Sequence, residues 1–84
     1  ALDPVQRLGM SEEDAAERAK MIELTGKLAQ RMQDNPGDPK GWVMLARSYR
    51  ALDKLPQSVR AYAKAVALVP GDASLMADYA ETLA

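Results

Sequence analysis

The sequence predicts an all-α fold of antiparallel helix pairs, and three observations carry that prediction. Pro36-Gly37-Asp38 returns as Pro70-Gly71-Asp72, 34 residues later, so the chain contains an internal repeat. Apolar side chains recur at helical spacing in four segments. The residues between these segments are rich in Pro, Gly, Asp and Asn, which begin and end helices. We expect a right-handed solenoid of about four helices, over residues 11–34, 39–52, 56–69 and 73–84.

The first predicted helix, 11–34, has recognisable signals at both ends. Ser11 is suited to cap its N-terminus, and the acidic run at residues 12–14 complements the positive end of the helix dipole. Asn35-Pro36 ends it, because the residue before Pro is disfavoured in the α region. We expect its buried face to consist of Met21, Leu24, Leu28 and Met32, with Ile22 and Ala29 beside them.

The second predicted helix, 39–52, begins at Asp38-Pro39, where Asp caps the helix and Pro lacks only an N–H that would have no partner there. Asp53-Lys54 breaks the pattern at the other end. At 100° per residue, its apolar side chains fall in a stripe roughly 120° wide. This expected core stripe is Trp42, Leu45, Ala46, Tyr49 and Leu52.

The third and fourth predicted helices follow the same logic. Pro56 opens the third helix, Pro70-Gly71 stops it, and Asp72 caps the start of the fourth. For the third helix we expect a buried face of Val59, Tyr62, Ala63 and Val66. For the fourth we expect a stripe of Leu75, Met76, Tyr79 and Leu83.

Residues 39–72 resemble one tetratricopeptide repeat (TPR), a family with a period of 34 residues. The positions that match the pattern are Trp42, Leu45, Ala46, Tyr49, Tyr62, Ala65 and Pro70. Ser58 departs from it, since Ala is usual there. The resemblance implies a TPR domain over 11–84, with one full repeat, a leading helix and a trailing half-repeat. Because they contain Pro4 and Gly9, residues 1–10 are expected to be a linker or arm. Because the chain begins with Ala1 and not Met, we expect it to be a piece of a longer protein.

The composition argues against most catalytic chemistry. The 84 residues include no Cys and no His, so thiol chemistry, the usual general base and the commonest transition-metal ligand are missing. The net charge of −1 argues against a nucleic-acid partner, and no apolar run approaches the roughly 18 residues of a membrane span. We therefore expect no enzymatic activity, no cofactor, no metal site and no membrane contact by this segment.

Two acidic clusters are interpreted as structural. Glu12, Glu13 and Asp14 are consecutive on a helix and point about 100° apart, so they cannot converge on one metal ion. Asp78 and Glu81 have the spacing of an acid–base pair, but no nucleophile accompanies them. Met44, which lies off the core stripe of its helix, is a candidate contact to a neighbouring molecule.

A candidate peptide-binding face lies beside the core stripe of the second helix. The TPR resemblance implies that first helices of repeats line a concave surface that receives a peptide. Lys40, Val43, Arg47 and Arg50 occupy an arc of roughly 80° there. Residues 40–64 hold six basic residues and one acid, a local excess of +5 that the net charge hides. The pattern favours a basic, partly apolar groove for an acidic or amphipathic peptide, and an ordinary solvated helix face is the alternative.

A second resemblance depends on several short segments within residues 10–84. They are Met10 to Asp14, Met21-Ile22, Gly41-Trp42, Arg47-Ser48-Tyr49 and Ala77 to Glu81. In combination they resemble the periplasmic TPR region of bacterial c-type cytochrome biogenesis factors, the CycH/CcmI-type subunit of the haem lyase system.

That resemblance implies a periplasmic domain, anchored in the inner membrane by another part of the full-length protein. Its implied partners are apocytochrome c, bound chiefly through a C-terminal helical part, and the haem lyase subunits that attach haem. The alternative is a generic TPR scaffold that joins protein subunits without handling a client. We also expect the segment to form homo-oligomers, through its last helix or through helix 11–34.

Overall fold

The computed structural model describes residues 12–84, and that part of the chain is helical throughout, apart from short turns. Its four helices are α1, Glu12–Asp34; α2, Pro39–Ala51; α3, Leu55–Leu68; and α4, Ala73–Leu83. The all-α prediction is confirmed, and the helix boundaries agree with the sequence-based ones to about one residue. The predicted arm at 1–10 and the predicted cap at Ser11 lie outside the described residues. The right-handed solenoid arrangement stays a prediction.

The helices pack in chain order, with α2 and α3 as the central pair. Helix α1 packs against α2, and α4 packs against α3, in a body of 53 × 29 × 16 Å. One continuous core joins all four helices, because each contributes at least one buried apolar side chain. The core residues are Met32, Leu45, Ala46, Ala61, Tyr62, Ala65 and Leu75.

The starts of α2 and α4 use the two aspartates of the repeated Pro-Gly-Asp run. The Asp38 carboxylate accepts a hydrogen bond from the Lys40 backbone N–H at 3.1 Å, and Pro39 follows in the first turn. Asp72 accepts from the Leu75 backbone N–H at 3.0 Å. Both predicted caps are confirmed, because the carboxylate satisfies a backbone N–H that has no partner within the helix.

The turn between α2 and α3 is fixed by one unusual backbone conformation and one long-range contact. Asp53 adopts a left-handed conformation, with φ of 58°, which Asp tolerates better than most residues. The Arg18 guanidinium of α1 donates to the Leu52 carbonyl at 3.1 Å. This bond satisfies a carbonyl at the end of α2 and ties the N-terminal half of α1 to the turn.

The buried face of α3 differs from the predicted one. Tyr62 is buried as expected, whereas Val59, Ala63 and Val66 are only half-buried. Helix α3 is packed by α2 on one side and α4 on the other, and three of its four buried residues are small enough to allow close approach, while the fourth, Tyr62, fills the core. These fully buried residues are Ser58, Ala61, Tyr62 and Ala65.

Ser58, the departure from the repeat pattern, is completely buried. Its hydroxyl donates a hydrogen bond to the Ala46 carbonyl of α2 at 2.8 Å. A buried hydroxyl without a partner is destabilising, and this bond removes that cost. Ser therefore replaces the usual Ala without a packing defect, because it is nearly as small and its polar atom is satisfied.

The predicted apolar face of α1 is partly wrong. Leu24 is 53% exposed and Ile22 is 44% exposed, while Thr25 is buried. The reason is that α2 covers one narrow face of α1, and Thr25 is closer than Leu24 to the line that joins Met21 and Met32. The Thr25 hydroxyl donates to the Met21 carbonyl at 2.6 Å, so its burial leaves no polar group unsatisfied.

The apolar stripe of α4 is also narrower than predicted. Leu75 is buried and Tyr79 is half-buried, as expected, but Met76 and Leu83 are exposed. Thr82 is buried instead, and its hydroxyl donates to the Asp78 carbonyl at 2.8 Å. Helix α4 packs on α3 along one face only, so side chains about 100° away from that face remain in solvent. Self-association through α4 or α1 stays a prediction.

Candidate peptide-binding groove

The four residues predicted for peptide binding lie on the side of α2 that faces α4. Lys40, Arg47 and Arg50 are exposed there, and Val43 is half-buried. All four line the shallow channel between the two helices, which we call the α2–α4 groove. The structure therefore brings them together on one surface.

The half of the groove near the start of α2 is mainly apolar. It forms a cleft of about 450 Å³, between Val43 and Met44 of α2 and Leu75 of α4. Val69, at the C-terminal end of α3, closes one end, and Lys40 lies at the rim. Leu75 is almost fully buried and so serves both the core and the cleft. This geometry suits an apolar side chain of a bound segment, with a cation beside it.

The other half of the groove is crossed by two ion pairs. The Arg47 guanidinium lies 3.4 Å from the Asp78 carboxylate, and that of Arg50 lies 3.9 Å from the Glu81 carboxylate. Arg47, Arg50 and Asp78 also line a second cleft of about 330 Å³, next to Tyr62. The α4 carboxylates therefore offset part of the basic excess that the sequence places on α2.

These ion pairs are exposed and contribute little to stability. The side chains of Arg47 and Asp78 are 67% and 34% exposed, and exposed pairs are typically worth about 0.2–1 kcal/mol. Lys40 makes no ion pair within 4 Å with any residue in the range 12–84. At the apolar end a bound carboxylate thus meets Lys40, with the capping Asp72 in the same cleft, and at the other end it meets two paired arginines.

Sequence reasoning missed the contribution of α4 to this surface. It treated Asp78 and Glu81 as a candidate acid–base pair and set them aside, although they are the partners of Arg47 and Arg50. The sequence does contain an indication of this pairing. Each Arg lies 31 residues before its carboxylate partner, three fewer than the repeat period. Val69 and Leu75 also line the cleft, which the sequence does not predict, because its pattern indicates only a helix end at Val69 and a core position at Leu75.

Two other kinds of feature would bear on function in the described residues, a metal site and a membrane span. No group of three or more Asp, Glu, His or Cys within residues 12–84 is placed to hold a metal ion. In the same part of the chain, no helix combines the length and apolar character that a membrane span needs.

Comparison with known proteins identifies the family of the chain. The family described as "Cytochrome c-type biogenesis protein H TPR domain" matches residues 3–84. The chain belongs to this family. The TPR-like all-α fold is thereby confirmed, together with the CycH part of the predicted resemblance.

Two curated relatives of this TPR domain carry the name "Cytochrome c-type biogenesis protein CcmH". One is from Escherichia coli (strain K12) and the other from Shigella flexneri, and each is 35% identical over 83 residues. The alignment covers 99% of this chain but only 22% of each relative. No solved structure matches the chain.

Proposed function

We propose that this TPR domain is a protein-binding module of a c-type cytochrome biogenesis factor of the CycH/CcmI type. Its client is the apocytochrome c polypeptide, held in the α2–α4 groove while partner subunits of the haem lyase attach haem. The site of action is the periplasm, and the module itself is non-catalytic. Family membership and the names of the relatives support the biogenesis role.

The observation that carries the proposal is the composition of the α2–α4 groove. One end presents the apolar surfaces of Val43, Val69 and Leu75, with Lys40 at the rim. The other end presents Arg47 and Arg50, already paired with carboxylates of α4. An amphipathic helix fits this division, because its apolar side chains enter the cleft while its polar side chains meet groups of both charges.

The paired arginines also refine the chemistry of the expected client. An acidic peptide has to compete with Asp78 and Glu81 for Arg47 and Arg50, so acidity alone gives little net gain in affinity. Burial of apolar side chains in the cleft has no such competitor. We therefore infer that affinity comes mainly from the apolar face of the client and that charge sets its orientation.

The test is a titration of a fluorescein-labelled peptide from the C-terminal helix of a c-type apocytochrome into the protein, followed by anisotropy. Val43→Glu, which places a charge in the apolar cleft, is expected to weaken binding at least tenfold, or by about 1.4 kcal/mol. Ile22→Glu is the matched control, since Ile22 is an exposed apolar residue of α1 outside the groove.

Equal affinity of the two variants would remove the groove assignment, provided that circular dichroism shows both to be folded. If the peptide does not bind even to the full-length protein, while purified haem lyase subunits do, the module is a scaffold between subunits. That result would contradict the role in client binding but not the family membership.

A further inference from the structure

We propose a second docking surface, on the opposite side of α2 from the α2–α4 groove, that takes an acidic segment of a partner protein. It is a cleft of about 220 Å³ between α1 and α3, with α2 as its floor. Trp42 and Tyr49 form the aromatic part of the floor, and Arg60 and Lys64 of α3 form one wall. We call this surface the aromatic cleft.

The aromatic cleft and the groove are separate surfaces. On α2, the side chains of Trp42, Leu45 and Tyr49 point about 140° away from those of Val43 and Arg47, at 100° per residue. The two surfaces therefore face nearly opposite directions and have no lining residue in common. The proposal does not depend on whether the groove binds apocytochrome c.

The charge of the aromatic cleft is uncompensated, in contrast to that of the groove. No carboxylate of residues 12–84 lies within 4 Å of Arg60 or Lys64, whereas Arg47 and Arg50 both have partners. Besides the aromatic residues, uncharged amide side chains of Gln33 and Gln57 line the cleft. Two cations without an acid beside them make this wall complementary to carboxylates.

The aromatic floor adds an apolar contact to this charge. The Lys64 ammonium lies 5.9 Å from the centroid of the Trp42 ring, so the cation is held above the indole. Beneath it, Leu45 and Ala29 extend the apolar floor. The arrangement fits a short segment in which one apolar side chain is flanked by carboxylates.

The size of the cleft favours a protein segment over a nucleic acid. Within residues 12–84 two cations line it, and a duplex that spans more than one turn needs a longer row of basic side chains to neutralise its phosphates. A volume of about 220 Å³ accommodates one or two side chains. An acidic segment of a partner protein is therefore the occupant that both charge and size support.

The experiment uses Trp42 as its reporter, because it is the only Trp in the sequence. The probe is the peptide Glu-Glu-Leu-Glu-Glu, titrated while the tryptophan fluorescence is recorded. The comparison peptide is Lys-Lys-Leu-Lys-Lys. We expect a saturable change with the acidic peptide that weakens as salt is added, and no saturable change with the basic one.

The decisive variants remove the two cations without introducing acids. Arg60→Gln/Lys64→Gln is expected to weaken binding of the acidic peptide about three- to tenfold, the effect of losing two exposed charge contacts. Lys20→Gln/Lys27→Gln has the same change in net charge on α1, outside the cleft, and is expected to bind like the wild type. Circular dichroism checks that both variants are folded.

Three results would overturn the proposal. The first is the absence of a saturable response to the acidic peptide. The second is equal weakening in the two double variants, which would show that net charge alone drives binding. The third is an equal or stronger response to a short DNA duplex, which would assign the surface to nucleic acid.

Discussion

The central helices, α2 and α3, each pack against two neighbouring helices, whereas the flanking helices, α1 and α4, each pack chiefly against one. In the centre, Ser58, Ala61 and Ala65 are buried on α3, between helices on both sides. On the flanks, large side chains such as Leu24 and Met76 are about half exposed, while Thr25 and Thr82 are buried.

This difference shows that the size of a side chain does not determine its burial in a stack of helices. Where helices cover a face on two sides, small residues allow close approach and are fully enclosed. Where only one neighbour is present, a narrow line of residues is covered, and a Thr on that line is buried before a Leu beside it. The groove lies where the two kinds of region meet, between α2 and α4.

The largest expected effect is on the free energy of unfolding, and it distinguishes a residue of a central helix from a residue of a flanking helix. Leu45→Ala removes a buried side chain at 3% exposure and is expected to lower the free energy of unfolding by about 2–5 kcal/mol. Leu24→Ala, at 53% exposure, is expected to change it by less than about 0.5 kcal/mol. Urea unfolding measures both, and similar losses in the two variants would contradict the packing described here.

A smaller effect is expected at Ser58, which is buried between α2 and α3. Ser58→Val adds volume where Ser58 is completely buried and is expected to cost about 1–3 kcal/mol. Ser58→Ala keeps the space and is expected to cost less than about 1 kcal/mol, since the Ala46 carbonyl retains its helical hydrogen bond. Thermal unfolding, followed by circular dichroism, compares the stability of the two variants. If Ser58→Val is more stable than Ser58→Ala, the site is not close-packed.

The two capping aspartates allow the same substitution to be compared in a central helix and in a flanking helix, because Asp38 caps α2 and Asp72 caps α4. Asp38→Ala and Asp72→Ala each remove one capping hydrogen bond, worth about 0.5–2 kcal/mol. We expect the Asp38 variant to lose global stability, whereas the Asp72 variant mainly speeds amide exchange within α4. Native-state hydrogen exchange separates these outcomes, and fast exchange limited to α2 after Asp38→Ala would argue against a cooperative central pair.

The smallest expected effect concerns the ion pair that crosses the groove. A double-mutant cycle with Arg47→Ala and Asp78→Ala is expected to give a coupling energy of about 0.2–1 kcal/mol, which decreases as salt is added. The measurement is urea unfolding of the four proteins at two salt concentrations. A coupling energy well above that range would mean that the pair fixes the spacing of α2 and α4.

Much of the fold could be predicted from the sequence because helix ends depend on local chemistry. Asp38-Pro39 and Pro70-Gly71-Asp72 act within a few residues of themselves, so their effect is visible without knowledge of the neighbours. The core stripe on α2 was predictable from apolar periodicity in part: Leu45, Ala46 and Leu52 are buried as expected, while Trp42 and Tyr49 are half-buried.

The groove was only half predictable, because it depends on contacts between distant residues. Lys40, Val43, Arg47 and Arg50 share one face of one helix, which periodicity predicts. The pairing of Arg47 with Asp78 requires the placement of α4, and so does the burial of Thr82 rather than Leu83. The aromatic cleft likewise brings together three helices, and no pattern within one segment indicates it.

The most direct test of the central claim is to map the bound apocytochrome peptide on the protein by two-dimensional NMR with ¹⁵N-labelled chain. If the α2–α4 groove is the client site, the largest shift changes fall on the amides of Val43, Val69 and Leu75. The amides of Ile22 and Leu24 on the exposed face of α1 should then stay unchanged. Shift changes concentrated on α1, with none in the groove, would contradict the account.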